Sequence, residues 1–158
     1  MAFCGVGFAA GLAAQAQAQA TAATPVRWWG LVNVSIDIAI YGGVPSGYQV
    51  WCEVAIGTSD TGGSNSTFTS DGFSQAAAAS GATSATCNTS VAYEWLISPT
   101  TAPTDKLAVS YDVYLVNPNG LTIVGSKLYA QHSSNNLASY ITLPANGATS
   151  SFTYYARL

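Results

Sequence analysis

Charge is what this chain has least of. Asp, Glu, Lys and Arg make up 7% of its 158 residues, against roughly a quarter in an average soluble protein. The four bases, Arg27, Lys106, Lys127 and Arg157, stand singly, so there is no basic footprint for nucleic acid or an anionic lipid surface. The one histidine, His132, lies in the polar stretch Gln131-His132-Ser133-Ser134. Without a G-x-S-x-G elbow or a carboxylate placed near it, it reads as a solvated loop residue. Three cysteines cannot supply the paired ligands of a zinc motif. The seven acids (Asp37, Glu53, Asp60, Asp71, Glu94, Asp105 and Asp112) are dispersed, and no calcium-loop pattern surrounds Asp60 or Asp71. These absences leave no catalytic residue, no metal site and no cofactor to assign, and the chain is not read as an enzyme.

Low charge does not mean disorder here, because aliphatic and aromatic residues are abundant and alternate regularly. The polar surface is instead built from Ser, Thr, Asn, Gln and Gly, a neutral composition typical of extracellular structural proteins. The length fits one domain that buries about two thirds of its unfolded surface.

The longest alternating run is Val26 to Tyr41, VRWWGLVNVSIDIAIY. Val26, Trp28, Gly30, Val32, Val34, Ile36, Ile38 and Ile40 share one parity, which a period of two puts on one face of an extended strand. Fully extended, the run would reach about 50 Å, far beyond an ordinary strand of about five or six residues. It is therefore expected either to bend at Gly30 and serve two sheets, or to divide there into an arm and a first strand. Further alternating runs cover 48–56, 87–97, 107–116, 121–130, 137–143 and 151–158, separated by turn signals such as Gly42-Gly43 and Asn119-Gly120. Residues 57–86, rich in Ser, Thr, Gly and Ala, are expected to be mostly a long loop. Within it, a short strand near Phe68 and a helical turn across Ala76 to Ala79 are the only elements foreseen. The expected fold is all-β, an immunoglobulin-like β-sandwich of about seven to eight antiparallel strands.

Residues 1–20 read as an export signal: an apolar core from Phe3 to Ala14 precedes Ala-Gln repeats with several A-x-A cleavage sites. No basic residue precedes Arg27, a departure from the usual signal. The apolar core is too short to span a bilayer, so no membrane span is expected in the mature form. The expected location is extracellular or on the cell surface. In an exported chain, Cys52 and Cys87, both on inward strand positions, are expected to form a disulfide. Trp51, Tyr114 and Tyr155 fall on outward positions and are candidate ligand contacts, since a ring face beside amides and hydroxyls suits a glycan. Asn33, Asn65 and Asn88 open N-x-[ST] sequons.

The leader, the alternating segment 21–30, the early Cys52–Cys87 pair and the closing strand after Ala145-Asn146-Gly147 together resemble fimbrial pilins of the chaperone–usher type. In that family an incomplete immunoglobulin-like fold is completed by the N-terminal arm of the next subunit. The resemblance implies that Val26, Trp28 and Gly30 are donor-arm positions, that Phe152, Tyr154 and Ala156 edge an acceptor groove, and that residues 31–158 form the sandwich. It further implies a homo-oligomer or filament with a role in cell adhesion, joined head to tail. The first Cys on the second strand, the short arm and the absence of a next-to-last tyrosine depart from the family pattern. The alternative is a monomeric secreted sandwich that binds a surface glycan or protein.

Overall fold

The computed structural model describes residues 23–59, 67–100, 102–117, 122–124 and 141–158. The leader 1–20, the start of the arm, Asp60, Asn65, the 118–121 turn, and residues 125–140, which hold Lys127, His132 and most of the strands expected at 121–130 and 137–143, lie outside them. The eight strands are β1 (Val26–Ala39), β2 (Gln49–Ser59), β3 (Thr67–Ala76), β4 (Ser84–Ile97), β5 (Lys106–Asn117), β6 (Thr122–Val124), β7 (Ile141–Thr142) and β8 (Thr149–Arg157). They form a sandwich. One sheet has the order β4-β1-β8 and the other β3-β2-β5-β6, with β7 paired to the start of β5. Among the described residues no helix is long and apolar enough to cross a membrane.

The period-two pattern explains why the two sheets face each other. Val32, Val34, Ile36 and Ile38 of β1 are buried, as are Val50, Cys52, Val54 and Ile56 of β2 and Leu107, Val109, Tyr111 and Val113 of β5. In β4 burial alternates without a break along all fourteen residues. Each such aliphatic side chain contributes roughly 1.5–3 kcal/mol when fully buried. Among the cross-links that join the sheets are the Cys52–Cys87 disulfide, the Tyr111–Tyr154 ring contact at 5.1 Å, and the Tyr111 hydroxyl, which donates to the carbonyl of Tyr155 at 2.8 Å.

Four expectations are corrected. First, β1 neither bends into two sheets nor divides at Gly30: it pairs with β4 in one antiparallel ladder from Val26↔Ile97 to Ala39↔Ser84. Gly30 is there for room, since a Cβ at this position would lie 2.7 Å from the ring of Tyr93 and 2.8 Å from the carbonyl oxygen of Ala148. Second, the strands are not all antiparallel. β8 runs parallel to β1, from Leu31↔Thr149 to Ala39↔Arg157, because the turn that precedes it is held beside Trp29 and Leu31, near the start of β1. Third, the described residues of 57–86 are mostly strand: β2 continues to Ser59, and β3 pairs with it along ten residues. The inward side chains of β3 after Phe68 are Ser70, Gly72, Ser74 and Ala76, small because β4 packs closely over them. A Cβ on Gly72 would come within 2.8 Å of Val91. Fourth, no helical turn forms across Ala76 to Ala79, since Ala76 ends β3.

Paired turns close one end of the sandwich. Val44 N–H donates to the Ala82 carbonyl at 2.9 Å, and Gly81 N–H to the Val44 carbonyl at 2.7 Å. Gly43 has φ +74°, and a Cβ there would meet the Gly81 carbonyl oxygen at 2.7 Å, so conformation and space both demand glycine.

At the other end, the first part of β1 is clasped on the side away from β4. Asn146 accepts from Trp29 N–H at 2.9 Å and donates its side-chain amide to the Arg27 carbonyl at 3.1 Å. Gly147 N–H donates to the Trp29 carbonyl at 2.7 Å, and the Trp28 indole N–H to the Pro144 carbonyl at 2.9 Å. Asn146→Ala is expected to destabilise the domain by about 1–2 kcal/mol, given two net hydrogen bonds of about 1 kcal/mol each at an exposed site. Amide exchange should then speed up more at Trp29 than at Ile36, a core amide whose rate rises only with the loss of global stability; equal rates at Trp29 in both proteins would show that the clasp holds nothing.

Candidate functional site

The outer face of β3-β2-β5 is laid out by register. Gln75, Trp51 and Tyr114 form one rung across the three strands, and Phe73, Glu53 and Asp112 form the next. Trp51 and Phe73 meet edge to face at 5.0 Å, a favoured geometry for aromatic pairs. The Trp51 indole N–H donates to Gln49 at 3.1 Å, which fixes the ring while it stays half-buried. Phe73 is 56% exposed, unusual for a phenyl ring with a core available beneath it. The result is an aromatic patch of two perpendicular rings, bordered by the amides of Gln49 and Gln75 and by Ser110.

Tyr114 lies over the carboxylates of its neighbours. Its hydroxyl donates to Glu53 at 3.4 Å. Its pKa is pushed up to about 12 by burial first, then by the negative charges of Asp112 and Glu53 and the hydrogen bonds to them. The phenol therefore stays neutral in the folded chain at pH values where an unperturbed tyrosine, with a pKa of about 10, has ionised. Between these values the unfolded chain releases this proton first. The contribution of Tyr114 to stability is thus complete below about pH 10 and is lost as pH rises through about 12. A spectrophotometric tyrosinate titration should contain a late component near pH 12 that Tyr114→Phe removes; an unchanged curve would contradict the arrangement.

The opposite face, on β4-β1-β8, has a different chemistry. Arg27 forks onto Glu94 at 2.6 and 2.7 Å, Ser90 donates to Asn33 at 2.7 Å, and Thr86 donates to Asp37 at 3.1 Å. These pairs bridge β1 and β4 rung by rung. Two shallow grooves follow them. One of about 360 Å³ lies by Asn33, Asn88 and Ser151, and one of about 760 Å³ lies by Asp37, Thr86, Tyr155 and Arg157.

Of the three aromatic residues singled out as ligand contacts, Trp51 and Tyr114 are thus direct cross-strand neighbours. Tyr155 is also outward, at 73% exposure, but on the other side of the sandwich, because β8 belongs to the other sheet. Phe73 completes the patch and was missed with the strand that carries it. The alternation of T-F-T-S-D-G-F-S-Q, which turns Phe68 inward and Phe73 outward, was the available signal. Asn33 and Asn88 of the sequons lie on the outer face of β1 and β4, where Asn88 is exposed.

The pilin-like positions are placed as follows. Val26, Trp28 and Gly30 pair with Ile97, Trp95 and Tyr93 of the same chain. Phe152, Tyr154 and Ala156 face inward on β8, beside Val34, Ile36 and Ile38 of β1. Phe152 and Tyr154 are half-buried, and Ala156 is buried. Among the described residues no group of three or more His, Cys, Asp or Glu is placed to hold a metal ion. No family model matches the chain, and the comparisons with curated proteins and with solved structures found no match.

Proposed function

We propose that the chain is an exported, disulfide-linked surface module that binds carbohydrate on the outer face of β3-β2-β5. The observation that carries this reading is the edge-to-face Trp51–Phe73 pair with Tyr114 on the next strand. A pyranose ring offers C–H groups to an aromatic face and hydroxyls to flanking amides and carboxylates, and Gln49, Gln75 and Glu53 border this one. A disulfide is compatible with an oxidising compartment, and a surface of neutral amides and hydroxyls suits life outside the cell. On an oligosaccharide array, Trp51→Ala and Phe73→Ala are each expected to weaken binding about tenfold, a loss of about 1.4 kcal/mol. Asn88→Ala, on the opposite face, should leave it unchanged. An array with no hits, or hits indifferent to Trp51, would remove the carbohydrate reading.

Assembly into a filament through residues 21–30 is the second reading. It is supported by β8, which is the outermost described strand of its sheet and so offers an edge to an added strand. For exchange, the arm would have to leave both β4 and the Asn146 clasp of its own chain, which is why the binding module is placed first. Electron microscopy of the full chain and of a 21–30 deletion separates the two. Fibres that vanish on deletion, leaving folded monomer, favour exchange; a full-length chain of one small size retires it.

A further inference from the structure

The larger groove on the opposite sheet has its own recognition chemistry. Register places Thr86, Asp37 and Tyr155 on one rung and Ser84, Ala39 and Arg157 on the next. Ala39 presents only a methyl group, and the depression of about 760 Å³ opens over it between Ser84 and Arg157. Tyr155 is held by its backbone, whose carbonyl accepts from Tyr111 in the core, while its ring stays 73% exposed at the rim. A solvent-facing tyrosine on such a rigid strand is pre-organised for stacking.

The charges are few and separated. Arg157 is exposed, and its guanidinium has no hydrogen-bond or ion-pair partner among the described residues. Asp37 is half-buried and takes one hydrogen bond, from Thr86. One rung along and one strand across, their Cα atoms are about 8 Å apart, from strand spacings of about 4.8 Å and about 3.3 Å per residue. A guanidinium fork suits a carboxylate, and a carboxylate side chain suits the hydroxyl donors of a sugar. A simple anion would use the first and be repelled by the second. A neutral sugar would use the second and leave the fork empty. A ligand bearing both groups on one ring uses both.

We propose that this groove binds an acidic sugar, with the ligand carboxylate on Arg157, its ring over Tyr155 and its hydroxyls donating to Asp37. The site is independent of the aromatic patch on the other sheet and stands whether or not that patch binds carbohydrate.

The test uses the full chain with a short galacturonate oligomer, the matching galactose oligomer and dextran sulfate, by calorimetry and by amide chemical shifts. The galacturonate oligomer is expected to bind at least tenfold tighter than the galactose oligomer. Shifts should be confined to residues 37–39, 84–86 and 155–157. Arg157→Gln should weaken binding ten- to a hundredfold, the range for a charge-assisted hydrogen bond, with Arg157→Lys recovering part of the loss. Asp37→Asn and Tyr155→Ala should each weaken it, while Trp51→Ala should have no effect. Thermal unfolding of each variant establishes that it is folded. Equal binding of the neutral oligomer, equal or tighter binding of dextran sulfate, galacturonate binding indifferent to Arg157, or no binding of galacturonate would each overturn the proposal.

Discussion

Replacing both Cys52 and Cys87 with alanine is expected to lower the stability of the domain by about 3.8 kcal/mol. That is the chain-entropy value for a bridge across 35 residues. For a chain of this size the loss corresponds to a fall in Tm of about 8–15 °C. The reason lies in what the bridge spans. It joins β2 in one sheet to β4 in the other, and its closed loop contains the whole of β3. β3 has little apolar surface of its own, since its inward side chains after Phe68 are two serines, a glycine and an alanine. Confining this segment in the unfolded chain therefore assists the docking of a strand that its own side chains hold weakly. Both cysteines are fully buried, so alanine leaves only a small void. Calorimetric melts of the two proteins decide the matter: a difference of only a degree or two would mean that the bridge merely decorates a core already sufficient.

The second large effect is expected at Trp95. Trp95→Ala should destabilise the domain by about 3–5 kcal/mol, the usual range for deleting a buried large aromatic residue. The ring is 5% exposed. It stacks on Tyr93 at 4.5 Å and on Phe68 of the other sheet at 6.3 Å. Its indole N–H donates to the Ser70 hydroxyl at 3.2 Å, so truncation also leaves a serine of β3 without that donor. Trp29 sits on the outer face of the neighbouring strand, paired with Glu94 next to Trp95 in sequence, and is 47% exposed. Trp29→Ala should change stability by about 0.5 kcal/mol or less. Urea midpoints for the two variants measure the difference; a comparable loss at Trp29 would mean that the outer face is covered by something else.

That contrast between two tryptophans shows what a period of two can reveal. The parity of β1, β2, β4 and β5 is legible because their inward positions carry mostly Val, Ile, Leu, Tyr and Trp, while most outward positions are small or polar despite outward rings such as Trp29 and Trp51. Inward placement of Cys52 and Cys87 followed from the same alternation. Only the part of β3 near Phe68 is legible, because from Ser70 to Ala76 its inward positions carry only small residues. Gly72 and Ser74 are inward because Val91 and Thr89 press against them, and a close approach between sheets leaves no hydrophobic signal. The long run from Val26 to Tyr41 owes its length to a partner strand elsewhere in the chain. Its apolar parity runs past Gly30 without a bend, since β4 is equally long and pairs with it throughout.

The candidate sites divide along the same line. Trp51, Tyr114 and Tyr155 could all be assigned to outward faces, because that needs only local parity. Which of them stand together depends on strand partners: Trp51 and Tyr114 meet because β2 pairs with β5, whereas β8 carries Tyr155 to the other sheet. Phe73 and Arg157 gained significance only from Glu53 and Ala39 beside them.

The sequence by itself determined an all-β chain, the inward set of each strong strand and the two cysteines of the bridge. These follow from side chains alternating along one strand, a property local to a few residues. Only the tertiary structure decided that β8 runs parallel to β1, that the arm is held by its own β4 and Asn146, and which outward residues share a rung. Those outcomes depend on hydrogen bonds between segments far apart in the chain, and alternation along one segment carries no record of its neighbour's identity or direction.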